Sequence, residues 1–151
     1  MRGLWLFLHV IGFAAWIGGG LAVMLSGVTA KYFPPEQRLA IYRIMGVITR
    51  NLVGTGSVLV VVSGLILSVP YFQASTVPTW LMAMELFGIL GAIVAIAIVV
   101  PTAARLARLD PDPRGELPES FVGLRRKQAI FATLAGVFAL AALIAGTLFR
   151  A

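Results

Sequence analysis

The chain has 151 residues, 60% of them apolar and 12% charged, with a net charge of +6; an average soluble domain is about 45–50% apolar and about 25% charged. That balance excludes an ordinary soluble globule, and the absence of cysteine excludes a disulfide framework, a thiolate metal site, an iron–sulfur cluster and a cysteine nucleophile. The basic residues lie beside apolar runs rather than on a polar face with interleaved aromatics, so they read as topology signals and not as a nucleic-acid surface.

Leu4 to Thr29 carries no charge over 26 residues, about 39 Å of helix at 1.5 Å per residue, enough to cross a bilayer. Arg2 before it and Val28-Thr29-Ala30 after it resemble a secretory leader, but a leader's apolar region is only about 7–15 residues, so the segment is expected to be retained. Lys31 to Gln37, with Pro34-Pro35, is the first loop. Residues 36–51 have apolar positions at helical spacing with Arg38, Arg43 and Arg50 between them. They are expected to form an interfacial amphipathic lead-in to a second span over 52–69. Pro70 and Pro78 bound the second loop, and the third span covers 79–100, stopped by Pro101. The polar segment 103–127, with Asp110-Pro111-Asp112-Pro113-Arg114-Gly115, is the third loop, its ends extending the neighbouring helices, and 128–149 is the fourth span. The expected fold is all-α, an integral membrane four-helix bundle forming one domain over 1–151, with the lipid bilayer as its main partner.

Orientation follows from the basic residues. Lys31, Arg38, Arg43, Arg50, Arg105, Arg108, Arg114, Arg125, Arg126 and Lys127 belong to the first and third loops and their helix ends, which leaves only Arg2 and Arg150 on the other side. The positive-inside rule then puts both termini outside the cytoplasm, N-out and C-out, in a multi-pass protein of the bacterial inner (plasma) membrane.

Small residues recur along three spans: Gly12, Ala15, Gly19, Ala22 and Ser26 in the first, Gly88, Gly91 and Ala95 in the third, and Ala132, Ala135, Ala139, Ala142 and Gly146 in the fourth. Such stripes let helix backbones approach closely, or leave room for a flat ligand between helices. Polar side chains inside the spans are more informative. His9, the single histidine, lies about five residues inside the outer end of the first span, and Met84 and Glu85 lie equally deep in the third. An imidazole ligates iron or copper, and a thioether is a soft axial ligand. Met82 adds a second sulfur, two residues away and so on another helix face. Glu85 is either a proton-transfer group near a cofactor or a snorkelling partner of Arg2 or Arg150. Met84 and Glu85 differ by about 100° of helical rotation, and the step of four from Met84 to Gly88 turns Met84 inward and Glu85 to the flank. Trp5 and Trp80 fit interface anchors, whereas Trp16 is deeper, one heptad beyond His9 and on nearly the same face. Ser26, Ser57, Ser63 and Ser68 are expected to lack a positioned histidine base, which argues against a hydrolase.

The segment Leu8-His9-Val10-Ile11-Gly12-Phe13-Ala14-Ala15-Trp16-Ile17-Gly18-Gly19 resembles the first helix of small membrane proteins of the HemJ and copper-resistance D (CopD) type, in which a histidine is followed seven residues later by Trp and then by small residues. Trp80-Leu81-Met82-Ala83-Met84-Glu85 is similar in placement to the Trp-Leu-His-Ala-Lys-Leu pattern of the HemJ third helix. The resemblance implies a b-type haem (haem b) with His9 as one axial ligand; Met84 is the candidate for the second, with Gly12, Trp16 and Glu85 around it. The family's lysine falls on Met84, and the basic Pro-Arg-Leu segment after the Trp is absent, which speaks against protoporphyrinogen oxidase activity and for electron transfer or redox sensing. Two other readings of the residues stand beside it: a copper-handling membrane protein using His9, Met82 and Met84, and a structural accessory subunit without a cofactor. A homo-oligomer or a larger membrane complex is compatible with each.

For the topology, a cysteine introduced at Ala74 is expected to react with a membrane-impermeant maleimide in intact cells and one at Asp112 is not; the opposite pattern inverts the orientation.

Overall fold

The computed structural model describes residues 1–74 and 76–149. Among these, every regular element is helical, and four continuous helices are long and apolar enough to cross a membrane: α1 (Arg2–Thr29), α2 (Pro35–Phe72), α3 (Thr79–Leu106) and α4 (Ser120–Thr147). One 3₁₀ turn, Ala30–Tyr32, finishes α1.

Several of the expected boundaries differ; α2, for one, runs through Pro70 to Phe72 instead of stopping before it. The stretch 36–51 does not form a separate lead-in; it is the first part of the same 38-residue rod as the second span. A π turn over Thr49–Gly54 joins the two parts, and its wider winding keeps Met45, Thr49 and Val53, spaced by four, on the buried side. Pro101 likewise does not stop the third span, which continues to Leu106. A proline ring inside a helix clashes with the carbonyl four residues earlier. Here the preceding turn, Ala95–Val99, is again π-wound and opens the backbone where that clash would fall. The end of the polar segment extends the fourth helix, which starts at Ser120 and takes Arg125, Arg126 and Lys127 into its first turns.

The helices pair in two couples. Along α1 and α2 the backbones touch: a methyl group on Gly56 would lie 2.6 Å from the Gly12 carbonyl oxygen and 2.8 Å from the Trp16 nitrogen. Along α3 and α4, a methyl on Gly91 would meet Phe138 Cβ at 3.1 Å and the Ala135 carbonyl oxygen at 3.3 Å. Nearby, Phe87 and Phe138 stack with centroids 6.2 Å apart. Trp16, 3% exposed, joins the couples by laying its ring against Gly91, and Val53, Val60, Ala95, Val99, Ala135 and Ala139 complete this core. The seam between α1 and α4 is the loosest of the four.

The basic end has its own closure. Tyr42 of α2 meets Phe121 of α4 edge to face at 5.1 Å, in a second core with Val23, Leu39, Met45 and Leu106. Arg38 reaches back to the end of α1, donating through Nε to the Ala30 carbonyl (3.1 Å) and through one terminal nitrogen to those of Lys31 (2.7 Å) and Phe33 (3.1 Å). A cation there satisfies orphan carbonyls and opposes the negative end of the helix dipole. In the polar loop, Asp112 Oδ1 accepts the amides of Arg114 (2.9 Å) and Glu116 (2.7 Å), and Gly115 takes the positive φ of 76° that this turn requires.

Because backbone atoms cannot give way as a flexible side chain can, Gly56→Ala is expected to lower stability by about 1–3 kcal/mol. Gly18, with nothing within 4 Å of the equivalent position, should accept alanine without loss. Thermal unfolding of both variants in one detergent checks the contrast.

Candidate functional site

His9 projects from α1 onto α2 at a place where Gly64 has no side chain; a methyl there would be 3.1 Å from the ring carbon Cε1. Its Nδ1 lies 3.0 Å from the Val60 carbonyl oxygen and 3.2 Å from Ser63 Oγ. A carbonyl can only accept, so Nδ1 carries the proton and donates. The Ser63 hydroxyl hydrogen points to the Leu59 carbonyl of its own helix, leaving the Ser63 oxygen to accept from the imidazole as well. The tautomer is therefore fixed by α2, and Nε2 holds the lone pair. Ser63 thus stands beside the histidine, but the ring donates to it, so the pair is not a nucleophile and its base.

Met84 does not lie at the level of His9. Trp16 reaches Gly91 only with the far edge of its ring, while the backbone contacts of Gly12 and Gly19 with α2 and of Gly46 with Ala103 and Ala107 set Met84 about one turn nearer the N-terminal end of the bundle than His9. The two side chains also turn to different neighbours. The Met84 thioether rests on α4, where a methyl on Gly146 would be 2.6 Å from the sulfur, while the imidazole rests on α2. Met82 is 57% exposed on the outer face of α3 and does not join either. Among the described residues no three of His, Cys, Asp and Glu come together.

Glu85 has one carboxylate oxygen, Oε1, buried without a hydrogen-bond partner. Of the two arginines expected to pair with it, Arg2 does not, and Arg150 lies outside the described residues; Arg43 with Asp110 is the ion pair seen among them. Gly12 faces Gly56 and Leu59, so the space left by its missing side chain is filled by α2. The gaps at Gly19 and Gly91 are filled in the same way, by Leu52 and Val53 and by Trp16 and Phe138. The small stripes thus serve helix crossing at these points and leave no slot for a flat ligand there. Trp80 packs edge-on against Tyr71 at 5.9 Å.

Sequence reasoning missed a second place altogether. Between α1 and α4, along the loose seam, runs a cavity of about 430 Å³. Gln128 and Thr49 line it, 5% and 1% exposed, and neither side chain has a hydrogen-bond partner. The visible signal was a lone amide at the start of an apolar span, directly after three basic residues. Thr49 gave none, because its burial depends on the π turn. No protein-family model, curated protein or solved structure matches the chain.

Glu85→Leu is expected to raise stability by about 1 kcal/mol, by removing a buried acceptor that has no donor. Glu85→Gln, which keeps a polar oxygen at that place, should gain less, and thermal unfolding of the two variants separates them.

Proposed function

We propose that this chain is a multi-pass protein of the bacterial plasma membrane, with both termini on the extracytoplasmic side, that binds a b-type haem through His9 in electron transfer or redox sensing. The observation that carries the reading is the hydrogen bond from His9 Nδ1 to the Val60 carbonyl. Histidines that ligate a metal commonly donate their other nitrogen to a carbonyl or carboxylate, which fixes the ring and makes the ligating nitrogen more basic. His9 meets that requirement through backbone atoms of a neighbouring helix, so it fits the donor set of a haem. Haem held there would supply one-electron redox chemistry. Met84 would be the second donor only by leaving its seat on Gly146, and a thioether ligand there would favour the ferrous state. In this reading Glu85, next to Met84 in the chain, takes the proton-transfer role.

The orientation rests on the basic residues, which gather at the end of the bundle that holds the polar 107–119 loop, away from the N-terminus. A second reading is favoured by the fit of the imidazole into the gap over Gly64: His9 locks α1 onto α2, and the protein is a structural subunit of a membrane complex. The copper reading loses support, since Met82 and Met84 point to different surroundings.

An absorption spectrum of the purified protein, oxidised and then reduced with dithionite, distinguishes the two. The haem reading expects a Soret band and a sharp ferrous α-band that vanish in His9→Ala. It further expects Met84→Ala to lose the low-spin ferrous spectrum or lower the potential, and Glu85→Gln to keep the ligation and change its pH dependence. A spectrum without haem, joined to a lower unfolding temperature of His9→Ala, establishes the structural lock instead.

A further inference from the structure

We propose that the cleft between α1 and α4 binds a long-chain carboxylic acid from the bilayer, its carboxyl group held by Gln128 and Thr49 at the basic end. The cleft is independent of the His9 site: its polar lining lies toward the opposite end of the bundle. Gly20 and Gly27 of α1 and Gly136 of α4 thin its walls, and Gln128, Thr49 and Arg125 supply polar groups at one end. From Gln128 to Leu140, the far end of the lining on α4, the helix rises about 18 Å at 1.5 Å per residue. That is room for an extended alkyl chain with its polar group at one end.

The unpartnered atoms define the head group. Gln128 is buried with both its amide nitrogen and its amide oxygen unbonded, and the Thr49 hydroxyl is buried and unbonded in the same cavity. An occupant must therefore bring an acceptor for the amide N–H and a donor for the amide oxygen, side by side. A protonated carboxyl group has that pair on adjacent atoms, and its carbonyl oxygen has a second lone pair for the Thr49 hydroxyl. Arg125, on the rim of the same cavity and exposed, offers a cation to the ionised form as the acid arrives from the membrane surface. A phospholipid's ester groups and a quinone's carbonyls only accept, so either would leave the Gln128 oxygen unpaired. An apolar helix from a second copy of the chain would satisfy neither side of the amide.

The test uses the whole protein in phosphatidylcholine nanodiscs with a diazirine-bearing palmitic acid as probe. After irradiation and proteolysis, the label is expected on the cleft faces of α1 and α4. Excess palmitic acid should displace it, while methyl palmitate and phosphatidylglycerol should not. Gln128→Leu and Thr49→Val should each cut labelling, by roughly tenfold where one hydrogen bond to the head group is lost. Thr49→Val is isosteric, and it decides the matter if Gln128→Leu does not fold. Labelling outside the cleft, displacement by the methyl ester or by phosphatidylglycerol, or undiminished labelling of folded Thr49→Val would each overturn the assignment.

Discussion

Backbones of two helices can touch only where no side chain stands between them, and this bundle depends on one such contact, Gly56 of α2 against Gly12 and Trp16 of α1. In lipid there is no gain from taking apolar side chains out of water, so helix association comes from close packing and from polar contacts between helices. The Gly56 contact brings α1 and α2 near enough for His9 to reach the Val60 carbonyl. It also fixes the backbone of Trp16, whose ring then spans to Gly91 and joins the second couple of helices. The histidine, the tryptophan and the two couples are thus set by a single place where two glycines face each other.

The open seam is the other side of the same arrangement. Glycines and alanines on α1 and α4 are directed mainly at α2 and α3, where the tightest contacts form. With Trp16 and the Tyr42 and Phe121 pair bracing the interior at two levels, α4 has no close contact to gain against α1 between them. The seam stays apart and the cavity lies along it. Both π turns act in the same direction. They carry α2 and α3 through Thr49–Gly54 and Ala95–Val99 without a break, so each rod buries one stripe over its whole length.

Much of this architecture was legible in the sequence. Four long apolar runs, uncharged but for Glu85 in the third, correspond to four helices long and apolar enough to cross a membrane. The small-residue stripe of α4 allows the close approach its spacing suggested, and it meets α3 through Ala135 and Ala142, a partner its spacing did not name. The partner of α1 was not legible: Gly56 and Gly64 are eight apart in a span where serines and valines fill the positions between, and no short repeat marks them. The termination at Pro101 failed because a proline's cost depends on the turn before it, and nothing in Ala95–Val99 announces a wide turn. At the candidate site, chain direction put His9 and Met84 toward the same end of the bundle, but neither their relative depth nor the neighbour each meets was legible, because both depend on which helices are adjacent and in what register.

Polar side chains inside this apolar bundle fall into three kinds, and the difference lies in where their hydrogen bonds go. Ser57, Ser68 and Thr102 each donate to a carbonyl of their own helix, at 2.8, 2.9 and 2.6 Å, so they are satisfied before any helix packs and ask nothing of their neighbours. His9 is satisfied at one nitrogen only by a second helix, which makes its orientation a property of the assembled bundle. Gln128 and the Glu85 oxygen are satisfied by neither route. An amide or a carboxylate is too long to bond back to the preceding turn as serine does, and each is costly to bury unpaired in an apolar setting. Glu85 in α3 and Gln128 in the cleft, toward opposite ends of the bundle, thus place two distinct unmet polar demands on one apolar scaffold.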